Sequence, residues 1–149
     1  MCKRSLDKLI TPAVTEVLET MFFAGVQEEG EAGPPSEMMA ARVAFEGQER
    51  GTVEIRISDA GARTLAASFL GEEELLLTRV QLEQVVCELA NMICGSIVSN
   101  AEFGGSVGLG SPEFACPAEH DVAESPAAAK DFFVENETLS VLVYTSEHA

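Results

Sequence analysis

Residues 78–100 read TRVQLEQVVCELANMICGSIVSN, and the reading of this stretch decides the rest. Leu82, Val85, Val86, Leu89, Met92, Ile93 and Ile97 recur at intervals of three and four, the spacing of one face of an amphipathic helix. Thr78 with Gln81 three residues on suits a capping box at its start. At about 100° per residue, Gln84, Glu88, Asn91 and Gly95 fall in one narrow stripe nearly opposite the apolar one. One side of the helix is made for a core; the other presents a carboxylate, a carboxamide and a bare glycine. A solvated helix face is built in the same way, so the pair Glu88 and Asn91 is a candidate site and not yet an assigned one.

Working outward, 149 residues with 46% hydrophobic content suit one domain with its own core. A formal net charge of −16, with only 9 lysines and arginines, argues against nucleic acid and against anionic membranes, since phosphate binding needs clustered cations. The apolar runs fall short of the roughly 20 residues of a membrane span, and MCKRSLDKLITP lacks the apolar core of a signal peptide. A cytoplasmic protein is expected. Cys2, Cys87, Cys94 and Cys116 contain no C-x-x-C pair, and His120 and His148 are the only histidines, so reduced thiols are expected in place of disulfides or a zinc site.

Upstream, Leu6 to Phe22 carry a helical stripe, but proline is best tolerated as the first residue of a helix. A helix from Pro12, capped by Thr11 and ending near Gly25, is therefore expected. Acidic, Gly- and Pro-rich residues 27–37 make an exposed connection. Residues 38–45 and 52–58 form a hairpin whose Val53, Ile55 and Ile57 face the core while Glu54 and Arg56 face water. Asp59 caps a second helix with Ala62, Leu65, Ala66 and Phe69 inward, and Gly71 ends it. Downstream, FGGSVGLGSP reads as a turn, because it lacks the Gly-Lys-Ser/Thr of a P-loop and does not open a helix. A strand begins at Glu113, AEHDVAESPAAAK is a surface loop, and residues 131–135 and 138–144 make a second hairpin around Asn136 and Glu137.

In this order of elements, ITPAVTEVLETMF, GTVEIRISDAGARTLAASFLGEEE, ELANMICGS and the proline after the glycine-rich run resemble the CheC/CheX/FliY chemotaxis phosphatases, most of all the single-motif CheX branch. The resemblance spans roughly residues 10–144 and implies a single α+β domain, long helices packed on a largely antiparallel sheet. It makes Glu88 and Asn91 the functional pair and sets Pro112 in the place of the family's proline. The family usually has Asp or Ser where this chain has Gln84, a side chain that still donates and accepts hydrogen bonds. Laying Met21 on Met92 sets Val17 on Glu88, Thr20 on Asn91 and Ala24 on Gly95, as an internal repeat without a second polar pair would. Two unrelated amphipathic helices align in the same way.

The function implied is hydrolysis of the phosphoaspartate of a CheY-like response regulator. No nucleophile elbow, Cys/His pair or metal cluster is visible, so the chain has no cofactor of its own and needs a substrate primed to react. Such a regulator already holds Mg²⁺ and a lysine around its acyl phosphate, and what is left to supply is a positioned water. Asn91 would orient that water, Glu88 would pair with a basic residue of the regulator, and Gln84 and Gly95 would touch the partner. A non-catalytic module that binds a response regulator or another signalling protein is the rival, and an acidic scaffold with a solvated stripe is a third reading. The resemblance also implies a homodimer through the sheet, with the terminal hairpin as its edge.

Overall fold

The computed structural model describes residues 3–28, 37–47, 49–101, 107–115 and 126–146. Among the described residues there are three helices and six strands: α1 (Lys3–Met21), β1 (Met38–Glu46), β2 (Arg50–Ser58), α2 (Asp59–Leu70), α3 (Arg79–Asn100), β3 (Gly108–Leu109), β4 (Glu113–Ala115), β5 (Ala128–Val134) and β6 (Glu137–Ser146), with a 3₁₀ turn at Glu74–Leu76. The strands pair antiparallel in the order β3-β1-β2-β6-β5, and β4 joins β3 on the outer edge of β1. This is the expected α+β architecture.

Strand alternation sorts the sheet into two faces. Met39, Ala41, Val43 and Phe45 stand in register with Ile57, Ile55, Val53 and Gly51, and these in turn with Leu139, Val141, Val143 and Thr145. The apolar members of these rows are buried and form one core with α1, α2 and α3. At about 1.5–3 kcal/mol for each large apolar side chain taken from water, this layer is what holds the helices. Gly51 is required there: a Cβ would stand 2.2 Å from the Tyr144 carbonyl oxygen and 2.5 Å from the Phe45 ring. On the opposite face Glu54 departs from expectation. It is fully buried, gripped by Arg42 and Arg56 from either side, because two long guanidinium side chains close over a carboxylate that cannot be left unpaired.

Helix α1 corrects the expected start at Pro12. It begins at Lys3 and carries Pro12 inside, since Leu6 and Ile10, buried in the core, hold the turns before the proline against the missing hydrogen bond. It ends at Met21, before Gly25, where the Leu18 carbonyl accepts from Phe22 and Ala24 and Phe23 takes a left-handed φ of 55°. Ser58, not Asp59, caps α2 by accepting from the Gly61 amide at 3.0 Å; Asp59 is the first helical residue and binds Arg63 and Arg79. Gly71, at φ 67°, ends α2 as expected. The last turn lies one residue earlier than expected, at Glu135 and Asn136, whose φ of 49° and 69° are those of a tight hairpin turn matched to strand twist.

The repeat has a topological counterpart. A helix and a hairpin, α1 with β1–β2, recur as α3 with β5–β6; the two hairpins join through β2 and β6, α1 lies against β5, and α3 against β1. The sequence register does not survive, since Val17 is buried where Glu88 is exposed. A shift of one residue superposes the buried faces: Ile10, Ala13, Val14, Val17, Leu18 and Phe22 fall on Leu82, Val85, Val86, Leu89, Ala90 and Cys94. Glu16 and Glu19 then stand opposite Glu88 and Asn91. By length and composition α3 passes for a membrane span, yet its apolar side is the one packed into this core. Residues 29–36, 102–106 and 118–125 of the expected loops, with Cys2, Cys116, His120 and His148, lie outside the described residues.

Candidate functional site

The site is built on α3, which is fixed at its first turn and along its buried side. The Thr78 hydroxyl accepts from the Gln81 amide at 3.2 Å, and the Gln81 side chain accepts from the Thr78 amide at 2.9 Å, completing the capping box. Arg79 ties the first turn to Asp59 of α2 at 3.5 Å and lies over the Phe114 ring of β4 at 5.9 Å. Leu82, Val85, Val86, Leu89, Ala90, Ile93, Cys94 and Ile97 are buried, so the helix cannot rotate without exposing the core. Met92 is half-buried at the margin of this stripe.

Opposite that face, Gln84 and Glu88 are exposed and Asn91 and Gly95 half-buried. Among the described residues none of Gln84, Glu88 and Asn91 has a hydrogen-bond or ion-pair partner. Their polar groups are turned outward, uncommitted to the fold. A Cβ on Gly95 would meet only the Leu109 side chain, at 3.8 Å, so its bareness leaves room above the helix and is not forced by packing.

Beside the stripe lies an open-sided notch of about 470 Å³, lined by Val80, Glu83, Gln84, Cys87, Glu88 and Pro112. The structure thus brings Gln84 and Glu88 to one cavity wall with Pro112, while Asn91 and Gly95 continue along the helix beyond it. Sequence reasoning missed Val80, Glu83 and Cys87, although all three lie three or four residues from Gln84, Glu88 or one another and so had to flank the stripe. Burial pushes the Cys87 thiol above its ordinary pKa, and the Glu83 and Glu88 carboxylates raise it further. The second thiol of the helix, Cys94, is pushed by burial up to about 12. Both are thiols at neutral pH, neither poised as a nucleophile. Among the described residues no three His, Cys, Asp or Glu side chains converge as a metal site.

An antiparallel sheet backed by helices, with an outward Glu-x-x-Asn on the central one, defines the class of protein. Within that class the family model for the chemotaxis phosphatase CheX matches residues 39–135, and the chain belongs to this family. The fold is that of CheX from Vibrio vulnificus, with a TM-score of 0.77 at 16% identity over 98% of this chain and 99% of that one. CheX of Borrelia burgdorferi, solved in complex with CheY, BeF3 and Mg²⁺, aligns with a TM-score of 0.73 at 17% identity, covering 94% of this chain and 97% of the other. Thermotoga maritima FliY is more distant, with a TM-score of 0.60 at 11% identity over 92% and 85% of the two chains. No curated protein sequence matches the chain.

Proposed function

We propose that this chain docks a phosphorylated CheY-like response regulator and hydrolyses its phosphoaspartate. The observation that carries the reading is the outward Glu88–Asn91 pair, unpaired among the described residues, on a helix fixed from behind by the core. Membership of the CheX family and the existence of a CheX–CheY complex support it. Water attacks phosphorus, the acyl-phosphate P–O bond breaks, and the products are inorganic phosphate and the regulator's free aspartate. Mg²⁺, bound in the regulator's own site, supplies charge neutralisation. The Asn91 carboxamide hydrogen-bonds the attacking water and holds it in line, a contribution made chiefly in the transition state. Glu88 pairs with a basic residue of the regulator and fixes the docking. Gly95 lets the partner backbone come close to the helix.

The test is decay of the phosphorylated regulator in the presence of Mg²⁺. Asn91→Ala is expected to lose about a hundredfold or more of the acceleration, the scale on which a single positioned polar group acts, while binding of the regulator carrying a stable phosphoryl mimic is retained. Glu88→Lys is expected to damage binding itself, in a salt-dependent way. An Asn91→Ala variant with full activity would move the water-positioning role to another group. Gln84 favours a second reading: it stands exposed where the family usually carries Asp or Ser, so the chain would bind the regulator without turning it over. Wild type that binds but never speeds decay establishes that reading instead.

A further inference from the structure

The notch next to Glu88 has a composition that the water-positioning chemistry does not use. Val80, Cys87 and Pro112 are the apolar part of its lining, and Glu83, Gln84 and Glu88 the polar part, with two carboxylates. Val80 is 62% exposed, an apolar side chain left in water on the helix that carries the site. The surrounding field is negative: Glu83 has only a loose contact with Arg79, at 3.8 Å, Glu88 has no partner among the described residues, and both carboxylates act on the Cys87 thiol of the lining. An apolar slot with anionic lips is complementary to one kind of side chain, a long hydrocarbon stem ending in a cation.

We infer that this notch is a second anchoring subsite, in which Val80, Cys87 and Pro112 hold the stem of a lysine or arginine of the response regulator while Glu83 pairs with its charge. The inference rests on the regulator being the partner, as proposed above, and adds a contact separate from that made by Glu88. On α3, Glu83 lies about 140° around the helix from Glu88, so the two carboxylates address different partner groups across Cys87. The notch decides which regulator is held and how long; Asn91 decides what happens to its phosphate.

The experiment measures affinity for CheY-like regulators of the same organism, loaded with beryllofluoride and Mg²⁺, together with turnover at saturation. Val80→Ser and Glu83→Gln are each expected to weaken binding about tenfold and to leave turnover at saturation within twofold. The salt dependence of binding should shrink for Glu83→Gln and not for Val80→Ser. With Cys2 and Cys116 replaced by serine, saturating regulator is expected to slow alkylation of Cys87 by N-ethylmaleimide at least fivefold. Unchanged affinity in both variants, or unprotected Cys87, would overturn the subsite while Glu88→Lys still reports on the proposed function. If no regulator binds at all, the proposed function fails and the subsite with it. Protection of Cys87 that grows with the concentration of this chain alone would mean that a second copy fills the notch, and would equally overturn the inference.

Discussion

Helices α1 and α3 lie side by side over one sheet and stand in corresponding places of a doubled helix-and-hairpin pattern, yet they turn different chemistry outward. Their buried sides are interchangeable in kind: Ile10, Ala13, Val14, Val17, Leu18 and Phe22 on one, Leu82, Val85, Val86, Leu89, Ala90 and Cys94 on the other. On the exposed side α1 has Pro12, Glu16 and Glu19 where α3 has Gln84, Glu88 and Asn91. The core asks only for apolar volume and leaves the outer stripe free to differ. A carboxamide in place of a carboxylate is one of the changes that separate a helix with a candidate site from one without, and a proline in place of Gln84 is another.

The comparison breaks first at the core if the two buried faces are not equivalent. Leu18→Ala in α1 and Leu89→Ala or Ile93→Ala in α3 are each expected to cost about 2–5 kcal/mol, because all three side chains are fully enclosed. Glu88→Ala and Asn91→Ala are expected to change stability by less than about 1 kcal/mol. Denaturant melts of the five variants measure this. Unfolding caused by Asn91→Ala would make that residue part of the core and remove it from the site.

Much of this equivalence was legible in the chain. The α3 stripe, its capping box, the alternation in β2 and β6 and the left-handed Gly71 are local signals, and local physics decided them. What failed was decided at a distance. Pro12 reads as a helix start until Leu6 and Ile10 are seen in the core. Glu54 reads as solvent-facing because its enclosing arginines are brought by β1 and by its own strand at i+2, a pairing that alternation cannot anticipate. Ser58 and Asp59 both suit a cap, and the choice follows from the Ser58 hydroxyl also donating to Glu137 at 2.6 Å, across the β6 strand. In the site, Glu88 and Asn91 stand out in the polar stripe of the helix and Pro112 through the family resemblance, whereas the notch between α3 and Pro112 required the chain to fold.

A smaller effect distinguishes the two helices by pH. Cys94 fills in α3 the place that Phe22 takes just past the end of α1, and it is the one of the two that can ionise. Its thiol has a pKa raised from 9.0 to about 12 in the folded protein, so the unfolded chain loses this proton first as pH rises. The stabilisation is complete below about pH 9 and is lost between there and about 12, at a slope approaching 1.4 kcal/mol per pH unit. Melts from pH 8 to 11 should show a steeper decline for wild type than for Cys94→Ala. Parallel curves would mean that the thiol is not enclosed as described.

The smallest expected effect is the most direct test of whether the outer stripe alone separates the helices. Glu19→Asn gives α1 a carboxylate at Glu16 followed three residues later by a carboxamide, on a position already exposed. In an Asn91→Ala background this change is expected to restore less than about twofold of phosphoregulator decay, because catalysis by positioning needs the whole surface to receive the partner. Three features of α1 oppose it. Pro12 stands where Gln84 does and offers no hydrogen-bonding side chain. Position 23, which corresponds to Gly95, lies past the end of the helix and carries a Phe that is 79% exposed, so a partner backbone is held off where Gly95 admits it. And Thr20, next to the new Asn, already donates its hydroxyl to the Glu16 carbonyl, keeping that turn turned in on itself. Adding Phe23→Gly to Glu19→Asn sharpens the point, since it removes the protruding ring and relieves the steric cost of a left-handed backbone that a side chain seldom adopts. If Glu19→Asn alone recovered activity, a polar pair on any exposed helix would suffice, and the difference between α1 and α3 would reduce to one side chain.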